Sequence, residues 1–185
     1  MKRVLVVEPQ SSGLSLLDAA RRLGHATVVL TANQGERILP AEASGQFDDI
    51  IVADTYSFSK CAAQVQAFAA SKPIDAVLPG FEYYVPMAAR LGAQMGCIAL
   101  SEASATAARL KDVMRTTLAQ AGVRVPGFIM LESRDTFHNA LAFPLPAVVK
   151  PTNLSGSLQV VKVHNAAELE KACLDIWLHG RSDLD

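Results

Sequence analysis

Residues 1–100 alternate short apolar runs with helical segments, and this alternation constrains the fold more than any other feature of the sequence. The runs are rich in Val, Ile and Leu, and they predict strands at residues 3–7, 26–30, 50–52, 75–78 and 97–100. Runs that are apolar at successive positions are typical of strands buried on both faces. The pattern therefore predicts a parallel sheet with helices on both sides, which is an α/β fold.

Three of the four segments between these strands have helical spacing of their apolar residues, and the fourth, residues 32–47, is polar and is predicted to be a loop. Helices are predicted at residues 14–23, 57–71 and 82–95, and Gly24 and Gly96 mark two of their ends. Right-handed crossovers in such a sheet bring the loops at residues 8–13 and 79–84 to the same edge, at the carboxyl ends of the strands. Ligands of open α/β sheets bind at that edge.

The order of elements changes near residue 101. A helix is predicted over residues 101–121, followed by a strand at 127–131 and a second helix that begins at Ser133. An extended run then ends on Lys150, a polar loop follows, and a return strand and a last helix complete the chain. This order predicts two domains, 1–102 with the parallel sheet and 103–185 with a small α+β fold.

The composition excludes several classes of protein. Half of the 185 residues are hydrophobic and 19% are charged, which excludes a disordered chain. A net charge of -1 gives no general attraction to nucleic acid or to acidic membranes. Pro9 ends the first apolar run too early for a signal peptide, and no stretch reaches the roughly 18 apolar residues of a membrane span. These features favour a cytoplasmic protein.

The cysteines and the first loop carry little chemistry. Three widely spaced cysteines, Cys61, Cys97 and Cys173, form neither a disulfide framework nor a zinc motif, so we expect buried apolar thiols. The loop after the first strand contains only Gly13 and lacks the GxGxxG pattern of dinucleotide-binding proteins.

The strongest local motif follows the predicted strand that ends on Lys150. A loop of small residues comes next, with Ser155, Gly156 and Ser157, and it leads into another strand. Phosphate recognition needs backbone N–H groups that converge on an anion and a cation held nearby. Glycine allows close approach and a positive φ, and serine adds hydroxyl donors. The alternative is an ordinary polar hairpin loop with a solvated lysine.

A second lysine, Lys111, lies in the charged helical segment Arg109-Leu110-Lys111-Asp112-Val113-Met114-Arg115. Taken alone, this segment is typical of a solvated, charged helix face.

Together the two segments resemble the ATP-grasp superfamily, and in particular its amino-acid and carboxylate–amine ligases, over essentially the whole chain. Lys111 begins a segment of lysine, helix, glycine and proline before a strand, and residues 146–163 are similar to the superfamily's strand–lysine–proline–glycine loop–strand. The resemblance implies that Lys111 and Lys150 contact the phosphates of ATP. It implies loop contacts for Ser155, Gly156 and Ser157.

Residues 1–100 resemble the Rossmann-like domain that precedes the ATP-grasp fold in this superfamily. The stretch Pro79-Gly80-Phe81-Glu82-Tyr83-Tyr84-Val85 is similar to the one at that domain's fourth strand. The resemblance implies that Glu82 faces the substrate cleft, where it binds a substrate amine or holds a neighbouring loop. The alternative is an acid at a helix N-terminus, favoured there by the helix dipole.

The chain departs from the superfamily in two respects. Leu154 and Gln159 stand where the loop often has glycine or another small residue, which implies a stiffer loop or a polar contact from Gln159. In the superfamily a hinge strand and a second lobe follow, with the magnesium ligands and a basic residue. We therefore expect an N-terminal fragment that is inactive alone, with its magnesium ligands elsewhere. Asp183 and Asp185 are expected to be a polar tail.

The resemblance implies an ATP-dependent ligase that joins a small carboxylate to a small amine, amino acids among them, through an acyl phosphate. It also implies a homodimer through the first domain. One alternative is a non-catalytic nucleotide-binding or assembly subunit that pairs with another chain. A second alternative is a Rossmann-like nucleotide sensor.

Overall fold

The computed structural model describes residues 1–43 and 45–179 and contains a parallel four-stranded sheet. The strands lie in the order β3-β2-β1-β4, and each neighbouring pair is parallel. Their bounds are β1 Arg3–Val7, β2 Ala26–Thr31, β3 Asp49–Val52 and β4 Ala76–Pro79. The predicted α/β fold is confirmed. Asp183 and Asp185 lie outside the described residues.

Helices cover both faces of this sheet. Their bounds are α1 Leu14–Arg22, α2 Phe58–Ala69 and α3 Val85–Met95. On one face Leu17 and Ala20 of α1 pack against Val4, Val6 and Val29. On the other face α2 and α3 enclose a larger apolar cluster that includes Leu5, Leu30, Val65 and Leu91. Successive residues of β1 thus enter opposite cores, as a strand buried on both faces requires.

The strand predicted at residues 97–100 does not form. Only one parallel bridge, between Ala76 and Ile98, joins this segment to β4, and the side chain of Ile98 is 79% exposed. A Cβ atom added to Gly92 would lie 2.3 Å from the Cβ atom of Ala99, so this segment packs closely against α3. The apolar run therefore serves helix packing and makes no strand ladder.

The helix predicted over residues 101–121 is two helices, α4 Glu102–Arg109 and α5 Lys111–Gln120. They are separated at Leu110, which has extended backbone angles (φ −97°, ψ 118°). The chain divides into two compact units, and the first ends at Arg109. Because α4 packs against α3, it belongs to the first unit, and the units divide later than the 102/103 boundary expected from the sequence.

The second unit contains a two-stranded antiparallel sheet and a helix that covers it. Its elements are a 3₁₀ segment Arg134–Ala142, strand β5 Ala147–Val149, strand β6 Val161–Val163 and helix α6 Ala166–His179. A small apolar core joins them, with Val163, Leu169, Ala172 and Cys173 at its centre. This order agrees with the small α+β unit expected from the sequence.

The strand predicted at residues 127–131 is absent. No ladder partner pairs with this segment among the described residues, and Ile129 and Met130 remain more than 40% exposed. Leu131 alone of this segment packs against the apolar core. An apolar run without a neighbouring strand leaves its backbone groups unpaired, so the segment is not part of a sheet.

Helix α6 begins with two side-chain bonds to the backbone, from Asn165 and Glu168. The N–H of Glu168 donates to Oδ1 of Asn165 at 2.9 Å, and the N–H of His164 donates to Oε2 of Glu168 at 2.8 Å. Each side chain therefore satisfies a backbone donor near the start of the helix. This cap fixes where the helix that covers β5 and β6 starts.

Candidate functional site

The second unit contains a cavity of about 860 Å³. It is bounded by the start of α5, residues 126–132, β5 with the residues that follow it, and α6. Apolar side chains such as Phe128, Val148 and Trp177 form much of the wall. Small-molecule sites are typically concave, largely apolar and roughly 300–1,000 Å³ in volume.

Cations outnumber acids on the wall of this cavity. The charged residues that line it are Lys111, Arg115, Lys150, Lys162, Asp112 and Glu132. The structure thus brings the two lysines predicted from the sequence into one cavity, together with two further cations. The excess of positive charge favours an anionic ligand, and the low-dielectric apolar wall strengthens that attraction.

The pairing of β5 with β6 sets the orientation of one wall. Ala147 and Val149 pack toward the small core, and Val148 lies opposite Lys162 in the ladder. Because side chains alternate between the faces of a strand, Val148 and Lys162 lie on the face away from that core. Both faces border the cavity, since Ala147 and Val149 line it as well as Val148 and Lys162. Lys150 follows β5 directly and also lines the cavity.

Arg115 is held by an aromatic ring. Its guanidinium carbon lies 5.6 Å from the centre of the Phe128 ring, within the range of a cation–π interaction. The contact joins the second turn of α5 to the segment that contains Phe128, and both residues line the cavity. It holds the guanidinium of Arg115 at the cavity wall and covers the ring of Phe128.

Lys111 is the first residue of α5, and three of its contacts go to one loop. Its N–H donates to the carbonyl of Thr152 at 3.1 Å. Its ammonium donates to the same carbonyl at 3.4 Å and also to the carbonyl of Leu154. The predicted phosphate lysine is therefore bound to the start of the predicted phosphate loop.

The loop itself is folded into tight turns. Gly156, Ser157 and Gln159 have φ angles of 63°, 61° and 52°, which is the left-handed region. The N–H of Leu158 donates to the carbonyl of Ser155 at 3.2 Å. Glycine was expected to allow a positive φ here, but the two non-glycine residues adopt it as well. Such backbone angles persist only where the surroundings hold them.

The serines of the loop lie beyond the cavity wall. Ser155 is half-buried, Gly156 and Ser157 are exposed, and none of the three lines the cavity. Gln159, expected to stiffen the loop or make a polar contact, donates from Nε2 to the carbonyl of His179 at 3.3 Å. The structure therefore brings Lys111 and Lys150 together but leaves the loop residues outside the cavity that these lysines line.

Glu82 lies in the first unit, where it begins a short 3₁₀ turn after β4. Its side chain is 51% exposed, and Oε1 lies 3.6 Å from Nη1 of Arg109. The guanidinium of Arg109 stacks over the ring of Tyr83, 4.4 Å from its centre, and the arginine is buried. Sequence reasoning placed Arg109 on a solvated helix face, and that interpretation is wrong. Its ion pair ties Glu82 to α4.

The loops after β1 and β4 meet at the same edge of the sheet, as expected. A Cβ atom added to Gly13 would lie 1.7 Å from the carbonyl oxygen of Gly80, so the two backbones are in direct contact. The N–H of Gln10 donates to the same carbonyl at 3.4 Å. Only glycine permits so close an approach.

Glu8 is a buried acid that sequence reasoning missed. Its carboxylate is completely buried at the end of β1 and accepts hydrogen bonds from three donors. These are the hydroxyl of Thr31 at 2.7 Å, the N–H of Ala32 at 2.7 Å and the hydroxyl of Thr55 at 2.6 Å. The sequence feature that could have indicated its burial is its position, directly after the last apolar residue of a strand predicted to be buried.

The cysteines behave as apolar residues. Cys61 and Cys173 are buried, and burial raises the pKa of the Cys61 thiol to about 11. Burial also raises the pKa of Cys173, which lines the cavity. A thiol is a nucleophile only as the thiolate, so these groups are poorly suited to covalent catalysis near neutral pH.

Residues 1–43 and 45–179 contain neither a candidate metal cluster nor a candidate membrane span. No group of three His, Cys, Asp or Glu side chains in these ranges could hold a metal ion. These residues therefore do not fit a magnesium site built from protein carboxylates. No helix in the same ranges is long and apolar enough to cross a membrane.

The first unit is similar to a known domain family. Residues 17–97 match the family described as the ATP-grasp N-terminal domain. The D-alanine–D-alanine ligase of Chlorobaculum parvum is 41% identical over 75 residues, which is 34% of this chain and 21% of that protein. The match thus spans about a fifth of the length of this relative.

Solved structures share the fold of both units. The L-amino acid ligase from Bacillus licheniformis superposes with a TM-score of 0.76 at 20% identity, over 96% of this chain and 42% of that one. The N5-carboxyaminoimidazole synthetase from Staphylococcus aureus, complexed with ADP, gives a TM-score of 0.73 at 14% identity, over 92% and 43%. The chain therefore spans less than half of these structures. The resemblance to the ATP-grasp superfamily is confirmed.

Proposed function

We propose, from the premise that this chain belongs to the ATP-grasp superfamily, that its second unit binds ATP and that the protein is an ATP-dependent carboxylate–amine ligase. One observation carries the proposal. Lys111 and Lys150, distant in sequence, line the same cavity together with Arg115 and Lys162. A triphosphate needs several cations at close range, and a purine ring suits an apolar wall.

In the proposed reaction a carboxylate oxygen attacks the terminal phosphorus of ATP, which gives an acyl phosphate and ADP. The nitrogen of an amine then attacks the acyl carbon, phosphate leaves, and an amide forms. Phosphoryl transfer depends mainly on positioning and on neutralising charge. The cations of the cavity would hold the phosphates and offset their negative charge. No step through magnesium is assigned to the described residues, which offer no fitting site.

The small carboxylate and amine substrates, amino acids among them, are part of the same proposal. Glu82 is proposed to bind the substrate amine, because its half-exposed carboxylate lies just after β4, at the edge where open α/β sheets bind ligands. Ser155, Gly156 and Ser157 are proposed to contact phosphate. Their present turns keep them off the cavity wall, so this role requires the loop to change shape.

Nucleotide binding is the direct test. We expect Lys150→Ala to weaken the binding of ATP to the 185-residue chain by about ten- to a hundredfold, the usual range for a lost hydrogen bond to a charged group. Isothermal titration calorimetry with ATP measures this change. Lys171→Ala removes an exposed lysine of α6 that does not line the cavity, and it should bind ATP like the parent chain.

Equal ATP affinity in Lys150→Ala and the parent chain would contradict the proposed site. Ligase chemistry has a separate signature, which is release of phosphate from ATP only when an amino acid is also present. Phosphate release that is independent of any amino acid would argue for an ATPase and against a ligase.

A further inference from the structure

Lys111 contacts the loop through both its backbone and its side chain. The N–H and the ammonium both donate to the carbonyl of Thr152, and the ammonium also donates to the carbonyl of Leu154. These carbonyls belong to the first part of the segment from Thr152 to Val160, which we call the anchored loop. Lys111, at the start of α5, therefore binds two backbone carbonyls of this loop, those of Thr152 and Leu154.

The remainder of the anchored loop has few external contacts and an unfavourable backbone. Ser157 and Gln159 adopt positive φ angles, which side chains other than glycine rarely tolerate. The bonds inside the loop are two turn bonds, from the N–H of Leu158 to Ser155 and from the N–H of Val160 to Ser157, the latter at 3.4 Å. Such turns do not hold a strained loop on their own, so the ends of the loop must be fixed.

We propose that Lys111 is a positioning residue, whose ammonium fixes the anchored loop before any nucleotide arrives. Hydrogen bonds from a cation to carbonyl oxygens are among the stronger ones in proteins. The ammonium therefore does more than present charge to a phosphate, because it also holds the nucleotide-free shape of the loop, from which any phosphate contact by the loop residues must start. This role rests on the proposed function for its place in the reaction.

The role is distinct from that of Lys150. Both lysines line the cavity, but in the described part of the chain only Lys111 has an ammonium bonded to carbonyls of the loop. If only the positive charge of a lysine mattered, Lys111 and Lys150 would have the same effect on the anchored loop. If Lys111 anchors the loop, loss of its ammonium should loosen the loop even when no ligand is present, and loss of the Lys150 ammonium should not.

Amide hydrogen exchange in the nucleotide-free chain tests this difference. Lys111→Met keeps the length of the side chain and the backbone bond to Thr152 but removes the ammonium. We expect the N–H groups of Leu158 and Val160 to exchange about tenfold faster in this variant, because a charge-assisted bond that holds their loop is gone. Lys111→Arg retains donors at a similar reach and should restore slow exchange. Lys150→Met should leave both N–H groups at the rate of the parent chain.

Two results would overturn the proposal. One is unchanged exchange of Leu158 and Val160 in Lys111→Met together with weaker ATP binding, which would make Lys111 a phosphate ligand only. The other is equally fast exchange in Lys150→Met, which would assign the effect to cavity charge. Slow exchange in α6 verifies that each variant is folded. The measurement needs no nucleotide, so a failure to bind ATP would remove the proposed function and leave the anchoring role testable.

Discussion

Glu8 illustrates, at the scale of the residue, how a charged side chain can be part of a core. It lies at the end of a buried strand with its carboxylate fully enclosed. Burial of a carboxylate is costly unless its oxygens are hydrogen-bonded. Two hydroxyls and one N–H fulfil that requirement, and one of the hydroxyls, that of Thr55, also accepts a bond from Arg37 at 2.9 Å. The carboxylate thereby joins the ends of three neighbouring strands.

We expect Glu8→Gln to destabilise the protein by about 2 kcal/mol, since a buried group would then lack a partner. The amide has nearly the same shape, but its NH₂ group would face the donors at Thr31, Ala32 or Thr55. The free energy of unfolding in urea measures the change. Glu36→Gln is the control, because that side chain is exposed and the substitution should stay within about 0.5 kcal/mol. A Glu8→Gln variant as stable as this control would show that the donors do not require a carboxylate.

Only those residues of the candidate site that belong to short sequence motifs could be predicted. The resemblance pointed to Lys111 and Lys150, and the structure places both in one cavity. The burial of Glu8 and Arg109 was not predictable in this way. Whether a charged side chain is buried depends on partners such as Thr55, far away in sequence, and no local pattern reports them.

At the scale of the element, the parallel sheet was predictable because its strands are apolar runs and three segments of clear helical periodicity separate or follow them. The segments at 97–100 and 127–131 have similar runs but are not strands. Strand formation needs a neighbour with free backbone groups, and the sequence does not reveal whether one is present. The break at Leu110 was also missed, since no glycine or proline marks it. The following N–H, that of Lys111, is bound to the loop by a long-range contact.

The contact between the loops after β1 and β4 makes a prediction about glycine. We expect Gly13→Ala to lower the free energy of unfolding by about 2–4 kcal/mol, since its Cβ atom would collide with the backbone of Gly80 and force the loops apart. Thermal or urea unfolding measures the loss. Gly127→Ala is the matched control, because its added Cβ atom would meet nothing within 4 Å and its φ is not positive. If both variants were equally stable, the close approach at Gly13 would be wrong.

At the scale of the whole molecule, each of the two units has its own apolar core. The first has a cluster on each face of the sheet, and the second has the small cluster around Val163 and Leu169. Tryptophan and tyrosine are also separated between the two units. The single tryptophan, Trp177, lies in the second unit, and the three tyrosines, Tyr56, Tyr83 and Tyr84, lie in the first. The two units therefore carry separate spectroscopic probes.

Because each unit has its own spectroscopic probe, the effect of a core substitution can be assigned to one unit. We expect Leu169→Ala to destabilise the second unit by about 2–5 kcal/mol, because it removes a buried leucine from a small core. The urea midpoint seen by Trp177 fluorescence should fall, and the midpoint seen by tyrosine absorbance should change less. Val28→Ala, in the core of the first unit, should show the reverse. Equal shifts of both probes in both variants would mean that the chain unfolds as one cooperative body.

The enclosure of Glu8 also has a consequence for evolution. Its donors at Thr31 and Thr55 lie 23 and 47 positions further along the chain, and both hydroxyls donate to the same carboxylate. A substitution at any one of these positions leaves a buried polar group without its partner, so an intermediate with a single change is penalised. The three positions are consequently expected to change together or to stay as they are.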